Sequence, residues 1–155
     1  MNELKEEYVH LCSSIDNLNY SWKVLKSVRE EKGRNNPLLL PAFQFALIEY
    51  AKPYGKSRGV IKRHKLDTRF IPEKYKSLHE RLLSARNQIH AHSDLTLKDA
   101  DVYTYELEGN VQAGIVQSRI DLSAELGNIE QIIDMIESVL ENMYMEQASM
   151  GARLQ

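Results

Sequence analysis

Two long stretches of this chain carry apolar residues at alternating steps of four and three, a spacing that belongs to one face of an α-helix. The first runs through Leu4, Tyr8, Leu11, Ile15, Leu18, Trp22 and Leu25. The second runs through Leu122, Leu126, Ile129, Ile133, Ile136, Leu140 and Met143, widened by Ile132 and Val139, with Asp121 as its N-cap. Such helices owe most of their stability to covering the apolar face. Two long stripes therefore predict helices packed along their length, with coiled-coil-like contacts.

Shorter helical patterns lie between them. Lys32-Gly33 ends the first stripe, with Gly33 placed to leave the helix at its C′ position, and Arg34-Asn35-Asn36-Pro37 reads as a turn. A second helix begins between Pro37 and Pro41, presents Leu40, Phe43, Leu47 and Tyr50, and closes at Pro53 and Gly55. A third starts near Pro72-Glu73 and carries a seam of Leu78, Leu82, Ala85 and Ile89, on which His92 is the next step. Beyond Asp99 the period changes. Tyr103, Tyr105 and Leu107 alternate, Glu108-Gly109-Asn110 turns, and Val111, Ala113 and Ile115 alternate, which is a hairpin signal. A lone hairpin is marginal, so this one is expected to lean on the helices. The expected fold is mainly α: an up-down bundle of four main helices, with a small β-hairpin at about 101–118 between the third and fourth. Residues Ser149 to Gln155 are expected to fray. Val9, Val24 and Val28 fall off the first stripe and are available to a second contact, such as a dimer.

The 155 residues suit one domain, 1–155, and 43% apolar against 27% charged residues is ordinary globular usage. A net charge of −2 excludes coating nucleic acid by bulk positive charge. It leaves room for a local basic surface, and residues 52–65 supply one: Lys52, Lys56, Arg58, Lys62, Arg63 and Lys65 with no acid among them. That run reads either as a solvated loop or as a phosphate-binding face. The single cysteine, Cys12, excludes a disulfide framework and a thiolate-rich zinc site, and reads as a buried helix residue. No apolar run is long enough to span a bilayer, and the acidic start lacks a signal-peptide core, so no membrane partner and a cytoplasmic place are expected.

The polar groups able to do chemistry crowd into Arg86-Asn87-Gln88-Ile89-His90-Ala91-His92-Ser93-Asp94. On a helix His90 stands one turn beyond Arg86, and His92 continues the apolar seam. Three readings compete. His92 can cap the end of the third helix, with Asp94 in the following turn and Arg86 paired to a surface acid such as Glu80. His90, His92 and Asp94 are metal-ligand types, but residues two apart on a helix diverge by about 200°, so no metal and no cofactor is expected there. Thirdly, a histidine near neutrality can move the protons when a ribose 2′-hydroxyl attacks its own phosphodiester, while an arginine fork meets the charge on the phosphoryl oxygens. A symmetric dimer would double such a site.

The same segment resembles the signature of HEPN-like domains, an arginine separated from a histidine by four to six residues. Arg86 and His92 match it, Asn87 fits the polar residue that often follows the arginine, and Ala91-His92-Ser93-Asp94 is similar to the abortive-infection U-type branch. The stretch Ala51-Lys52-Pro53-Tyr54-Gly55-Lys56-Ser57-Arg58-Gly59 looks like that branch too. The resemblance implies a helical homodimer with both motifs at the interface. It also implies a metal-independent endoribonuclease of toxin or defence type, whose products carry 2′,3′-cyclic phosphates. His92 would then be the general acid or base, Arg86 would stabilise the phosphate and Asn87 would orient one of them. His90, Ser93 and Asp94 would support the site, and Lys52, Lys56, Arg58, Lys62 and Arg63 would bind RNA, with Tyr54 or Tyr103 stacking on bases. Periodicity favours His90 as the neighbour of Arg86, whereas the resemblance favours His92. The alternative function is a non-catalytic module that binds a nucleotide or docks a partner, either an antitoxin or a nucleotidyltransferase.

Overall fold

The first stripe folds into α1 (Glu3–Glu31). Asn2 caps it by accepting the Lys5 amide on Oδ1 at 2.9 Å, and Glu3 and Glu6 place negative charge in the first turn. A computed structural model describes residues 2–90, 100–116 and 121–154 of the chain, with His90 described by its backbone alone. Leu11, Ile15, Leu18 and Leu25 are buried, and Leu4, Tyr8 and Trp22 pack at the edge of the same core. Val28 is also buried, because it stands three residues beyond Leu25 and so extends the stripe. Val24 is half-buried, which leaves Val9 as the exposed valine of the three named above. Cys12 is half-buried rather than buried, and its sulfur accepts from Gln147 Nε2 at 3.1 Å. Gly33 leaves the helix at φ +89°, a conformation that favours glycine.

Asn36 Oδ1 accepts the Leu38 amide at 2.9 Å and opens the way into α2 (Leu39–Ala51), with Pro41 in its first turn. Phe43, Leu47 and Tyr50 are buried as expected, but Leu40 is 45% exposed; the buried face is completed by Ala46 instead. Pro53 does not end the structure. It sits buried in a 3-10 turn, Lys52–Tyr54, which continues α2. Two short strands follow, β1 (Ser57–Arg58) and β2 (Arg63–His64), paired antiparallel. Two more 3-10 turns, Thr68–Phe70 and Glu73–Tyr75, lead into α3 (Lys76–His90). Its seam residues Leu78, Leu82 and Ala85 are buried.

The hairpin is present as β3 (Asp101–Leu107) and β4 (Asn110–Val116), in register from Asp101 opposite Val116 to Leu107 opposite Asn110. Glu108 and Gly109 both have positive φ, 51° and 78°, which is the two-residue turn that matches strand twist. The expectation that the hairpin leans on the helices fails. Every one of its residues is exposed except Gly114, which lies under the Tyr103 ring. Both faces carry apolar side chains, so alternation supplies no single face to bury.

The last stripe is not one helix. Asp121 Oδ1 accepts the Ser123 amide at 2.9 Å, but the N-cap of the helix that follows, α4 (Ser123–Gly127), is Leu122; α4 ends at Asn128, and α5 (Ile129–Ala152) begins anew. The apolar period runs across this break undisturbed, with Leu122, Ile129, Ile132, Ile133, Ile136, Val139, Leu140 and Met143 buried. At the far end α5 holds to Ala152 with Met150 buried, so the expected fraying from Ser149 is corrected: an apolar anchor in the last turn keeps it docked.

The fold is mainly helical with small antiparallel hairpins. α5 runs antiparallel to α1, joined by Arg29 to Glu130, Trp22 Nε1 donating to Glu137 at 2.7 Å, and Asn19 Nδ2 donating to the Tyr144 hydroxyl at 2.8 Å. α2 runs antiparallel to α1, through Ser21 Oγ donating to the Ala46 carbonyl at 2.8 Å and Asn17 Nδ2 to Glu49 at 2.9 Å. Fully buried Leu18, Leu25, Phe43, Leu47, Ile136 and Met143 lie between these helices. Each such side chain contributes roughly 1.5–3 kcal/mol by leaving water. No helix among the described residues is long and apolar enough to cross a membrane.

Candidate functional site

The basic stretch is not a free loop. The β1–β2 ladder folds it back on itself, and its tip is clamped to the first turns of α1. Glu6, 3% exposed, accepts the backbone amides of Val60 and Ile61, the latter at 3.0 Å to both oxygens. Burial alone would raise the Glu6 carboxyl; the amides of Ile61, Val60 and Lys62, with His64 behind them, outweigh it and hold it below the usual range. Gly59 makes this possible, since a Cβ there would strike Glu6 Oε1 and the Lys62 carbonyl. Lys62 reaches both Glu3 and Glu7, whose hydrogen bonds push its ammonium above the usual lysine range, and the same bond to Lys62 holds Glu7 low.

Of the five cations assigned to RNA, the fold therefore commits two. Lys62 is spent on α1, and Lys52 pairs with the buried carboxylate of Glu49. Lys56, Arg58 and Arg63 are exposed and have no ion-pair partner among the described residues. The stretch itself holds no acid, yet α1 brings Glu3, Glu6 and Glu7 to it from far along the chain, and α2 supplies Glu49 from one turn before it. Between α1, this segment and the last turn of α5 lies a groove of about 890 Å³, walled by His10, His64, Arg63, Lys65, Arg69 and Arg153 among others. Two imidazoles stack in its wall: the His10 and His64 rings lie 3.7 Å apart with an 18° interplanar angle. Burial first, and His64 second, hold His10 below its ordinary value. Glu6, His10 and His64 bring their ligand atoms within 4.8 Å of one another.

A buried polar cluster fixes where this segment leaves the helices. The Tyr50 hydroxyl is hydrogen-bonded to His79 Nδ1 at 2.7 Å, and Tyr54 packs edge-on against the His79 ring at 4.4 Å. Burial drives the Tyr50 and Tyr54 phenols well above the usual range and pulls His79 down, so all three are neutral near pH 7. Tyr54 is 4% exposed and so is no platform for a base. Tyr103 is 50% exposed, stacked on Tyr105 with ring centroids 5.9 Å apart.

On α3, Arg86 is half-buried and Asn87 exposed. Arg86 Nη1 donates to Asn87 Oδ1 at 3.2 Å. Its Nε is enclosed and has no hydrogen-bond partner among the described residues, and neither Glu80 nor another described acid pairs with it. Asn87 thus touches the arginine it follows. The backbone of His90 stands one turn beyond Arg86 in the last described turn of α3. His92, Ser93 and Asp94 lie outside the described residues, as does the side chain of His90.

Among the described residues, no hydrogen bond or ion pair joins Arg86 or Asn87 to the basic segment. The basic segment departs where the end of α2 meets the start of α3, at the level of Tyr50 and His79. Arg86 is seven residues beyond His79 along α3, about 10 Å down the axis. The Glu6–His10–His64 cluster was missed from sequence. Glu6 and His10 stand four apart on one helix face, a visible but common spacing; the approach of His64 is a long-range event that no local pattern encodes. Comparison with protein families, with curated proteins and with solved structures finds no match for the chain.

Proposed function

We propose that this chain is a HEPN-like module, an up-down bundle of four main helices carrying a hairpin, that acts as a homodimeric, metal-independent endoribonuclease of toxin or defence type in the cytoplasm. The observation that carries the reading is the state of Arg86. Its Nη1 donates to exposed Asn87, while its enclosed Nε has no partner among the described residues. A guanidinium with donors left over is suited to a phosphate. In the proposed reaction His92 takes the proton of the ribose 2′-hydroxyl or returns one to the leaving 5′-oxygen, and Arg86 stabilises the charge on the phosphoryl oxygens. His90, Ser93 and Asp94 support that site, and Lys56, Arg58 and Arg63 remain as exposed phosphate contacts. Self-association is supported by the fully exposed apolar hairpin and by exposed Tyr20, Tyr144 and Met145.

The test is RNA incubated with purified protein in EDTA. Cleavage leaving 2′,3′-cyclic phosphate ends, lost in Arg86→Ala and in His92→Ala with the helical circular dichroism intact, is the expected result. Full activity in His92→Ala sinks the nuclease reading. The commitment of Lys52 and Lys62 to acids, and the distance of the basic segment from Arg86, favour a second reading: a non-catalytic module whose Arg86 and His92 form a polar network at a dimer interface or dock an antitoxin or a nucleotidyltransferase. In that case His92→Ala weakens dimerisation and RNA is never cut.

A further inference from the structure

We propose that Glu6, His10 and His64 form a binding site for a divalent transition-metal ion of the zinc class. The donor set is two imidazoles and one carboxylate, which suits zinc, cobalt, nickel or iron and does not suit magnesium or calcium. Glu6 and His10 are one turn apart on α1 and share a face; His64 is delivered from β2 across the groove.

Two observations point to a ligand rather than to a packed polar cluster. His64 Nε2 is enclosed and without a hydrogen-bond partner, on a side chain only 11% exposed. A buried polar nitrogen left unpaired needs an explanation. The Glu6 Oε2 that faces it stands 3.6 Å away, too far for a hydrogen bond. Two atoms at that separation, each about 2.1 Å from one ion, subtend an angle of about 118° at it, close to tetrahedral. The three ligand atoms all lie within 4.8 Å, whereas a tetrahedral ion with such bonds holds them about 3.4 Å apart. Side-chain rotation closes that gap without moving the backbone of α1.

The stacked pair cannot itself be the bound arrangement. In-plane lone pairs of near-parallel rings do not converge on one point, so metal entry requires one ring to tilt out of the stack. The carboxylate is already fixed by the Val60 and Ile61 amides, the kind of supporting contact that orients metal ligands. His10 and His64 line the open groove while Glu6 is buried behind them, so an ion held by the three would be reached from the groove on the imidazole side, as an exchangeable site requires. The site does not involve Arg86, and its test is independent of ribonuclease activity.

The experiment uses the full chain without an affinity tag, stripped with chelator and titrated with Co²⁺ and then Zn²⁺. Expected are one saturable equivalent, visible d–d absorption of four- or five-coordinate cobalt that zinc displaces, and a rise in the thermal midpoint. His10→Ala and His64→Ala should each weaken affinity by at least about tenfold. Glu6→Gln is the milder third variant, since it keeps the volume at the clamp. Absence of saturable cobalt binding to the unaltered chain overturns the proposal whether or not the variants fold. Undiminished binding in a folded His10→Ala/His64→Ala double variant overturns it as well. Both outcomes would leave the cluster as a buried carboxylate beside a ring stack.

Discussion

Removing one hydroxyl from each of two buried tyrosines should change stability in opposite directions. The Tyr50 and Tyr54 rings lie 5.4 Å apart and both are buried, so Tyr→Phe alters shape equally little at each. The Tyr50 hydroxyl is hydrogen-bonded to His79 Nδ1 at 2.7 Å and lies 3.7 Å from Met135 Sδ. Deleting that hydroxyl leaves the ring nitrogen of a 5%-exposed histidine unpaired, at a cost of about 1–3 kcal/mol. For a chain of 155 residues that is a fall in melting temperature of roughly 2–12 °C. The Tyr54 hydroxyl lies near that of Tyr50 but has no partner in hydrogen-bonding geometry, so it is buried at a loss. Tyr54→Phe is expected to leave the melting temperature unchanged or raise it by the equivalent of up to about 2 kcal/mol. Thermal and urea unfolding followed by circular dichroism, with unchanged urea m-values, measures both. Equal losses in the two variants would refute the reasoning, because they would mean that the hydroxyls act as one network through His79.

The Gly59→Ala variant drives a methyl group into Glu6 Oε1 and the Lys62 carbonyl, and should cost about 1–3 kcal/mol while exposing the 52–65 segment to protease, read by limited proteolysis. Stability should fall on acidification below about pH 6.5. Burial and Lys65 hold His79 below its ordinary value against the pull of Glu80, so the unfolded chain binds the extra proton and stability rises with pH across that window. Urea midpoints at pH 7.5 and 5.5 check this, and the dependence should flatten in His79→Gln; a midpoint that rises in acid contradicts the assignment. Replacing residues 101–116 by a short glycine-serine linker should leave the helical signal intact and shift stability by no more than about 0.5 kcal/mol, since the hairpin buries almost nothing. Sedimentation of that variant should show weaker self-association; an unchanged oligomer removes the hairpin from the dimer proposal.

Periodicity carried the helices because it is local. Leu11, Ile15, Leu18 and Leu25 point inward wherever the partner comes from, and Glu108-Gly109 forces a tight turn whatever surrounds it. The same locality hid the break at Asn128, since the stripe from Leu122 through Leu126 to Ile129 continues across it. It also hid the exposure of the hairpin, whose alternation is apolar on both sides. The 52–65 run was legible as a basic stretch but not as a committed one, because Glu3, Glu6 and Glu7 sit more than fifty residues earlier and their meeting depends on the tertiary fold. At the candidate site Arg86 donates to Asn87, a contact that helical spacing does not indicate, since adjacent side chains on a helix diverge. The meetings of His64 with His10 and of His79 with Tyr50 gave no comparable signal, since each joins residues far apart in the chain that only packing brings together.

The antiparallel course of α1 and α5 has a practical corollary. Because Cys12 meets Gln147 and the last turn of α5 borders the wall that holds His10, residues near either extremity of the described chain stand over one groove. Anything appended there hangs across its mouth. A polyhistidine handle would bring its own imidazoles to the opening and compete for whatever enters, so the location of a purification tag decides whether an assay reads the protein or its label.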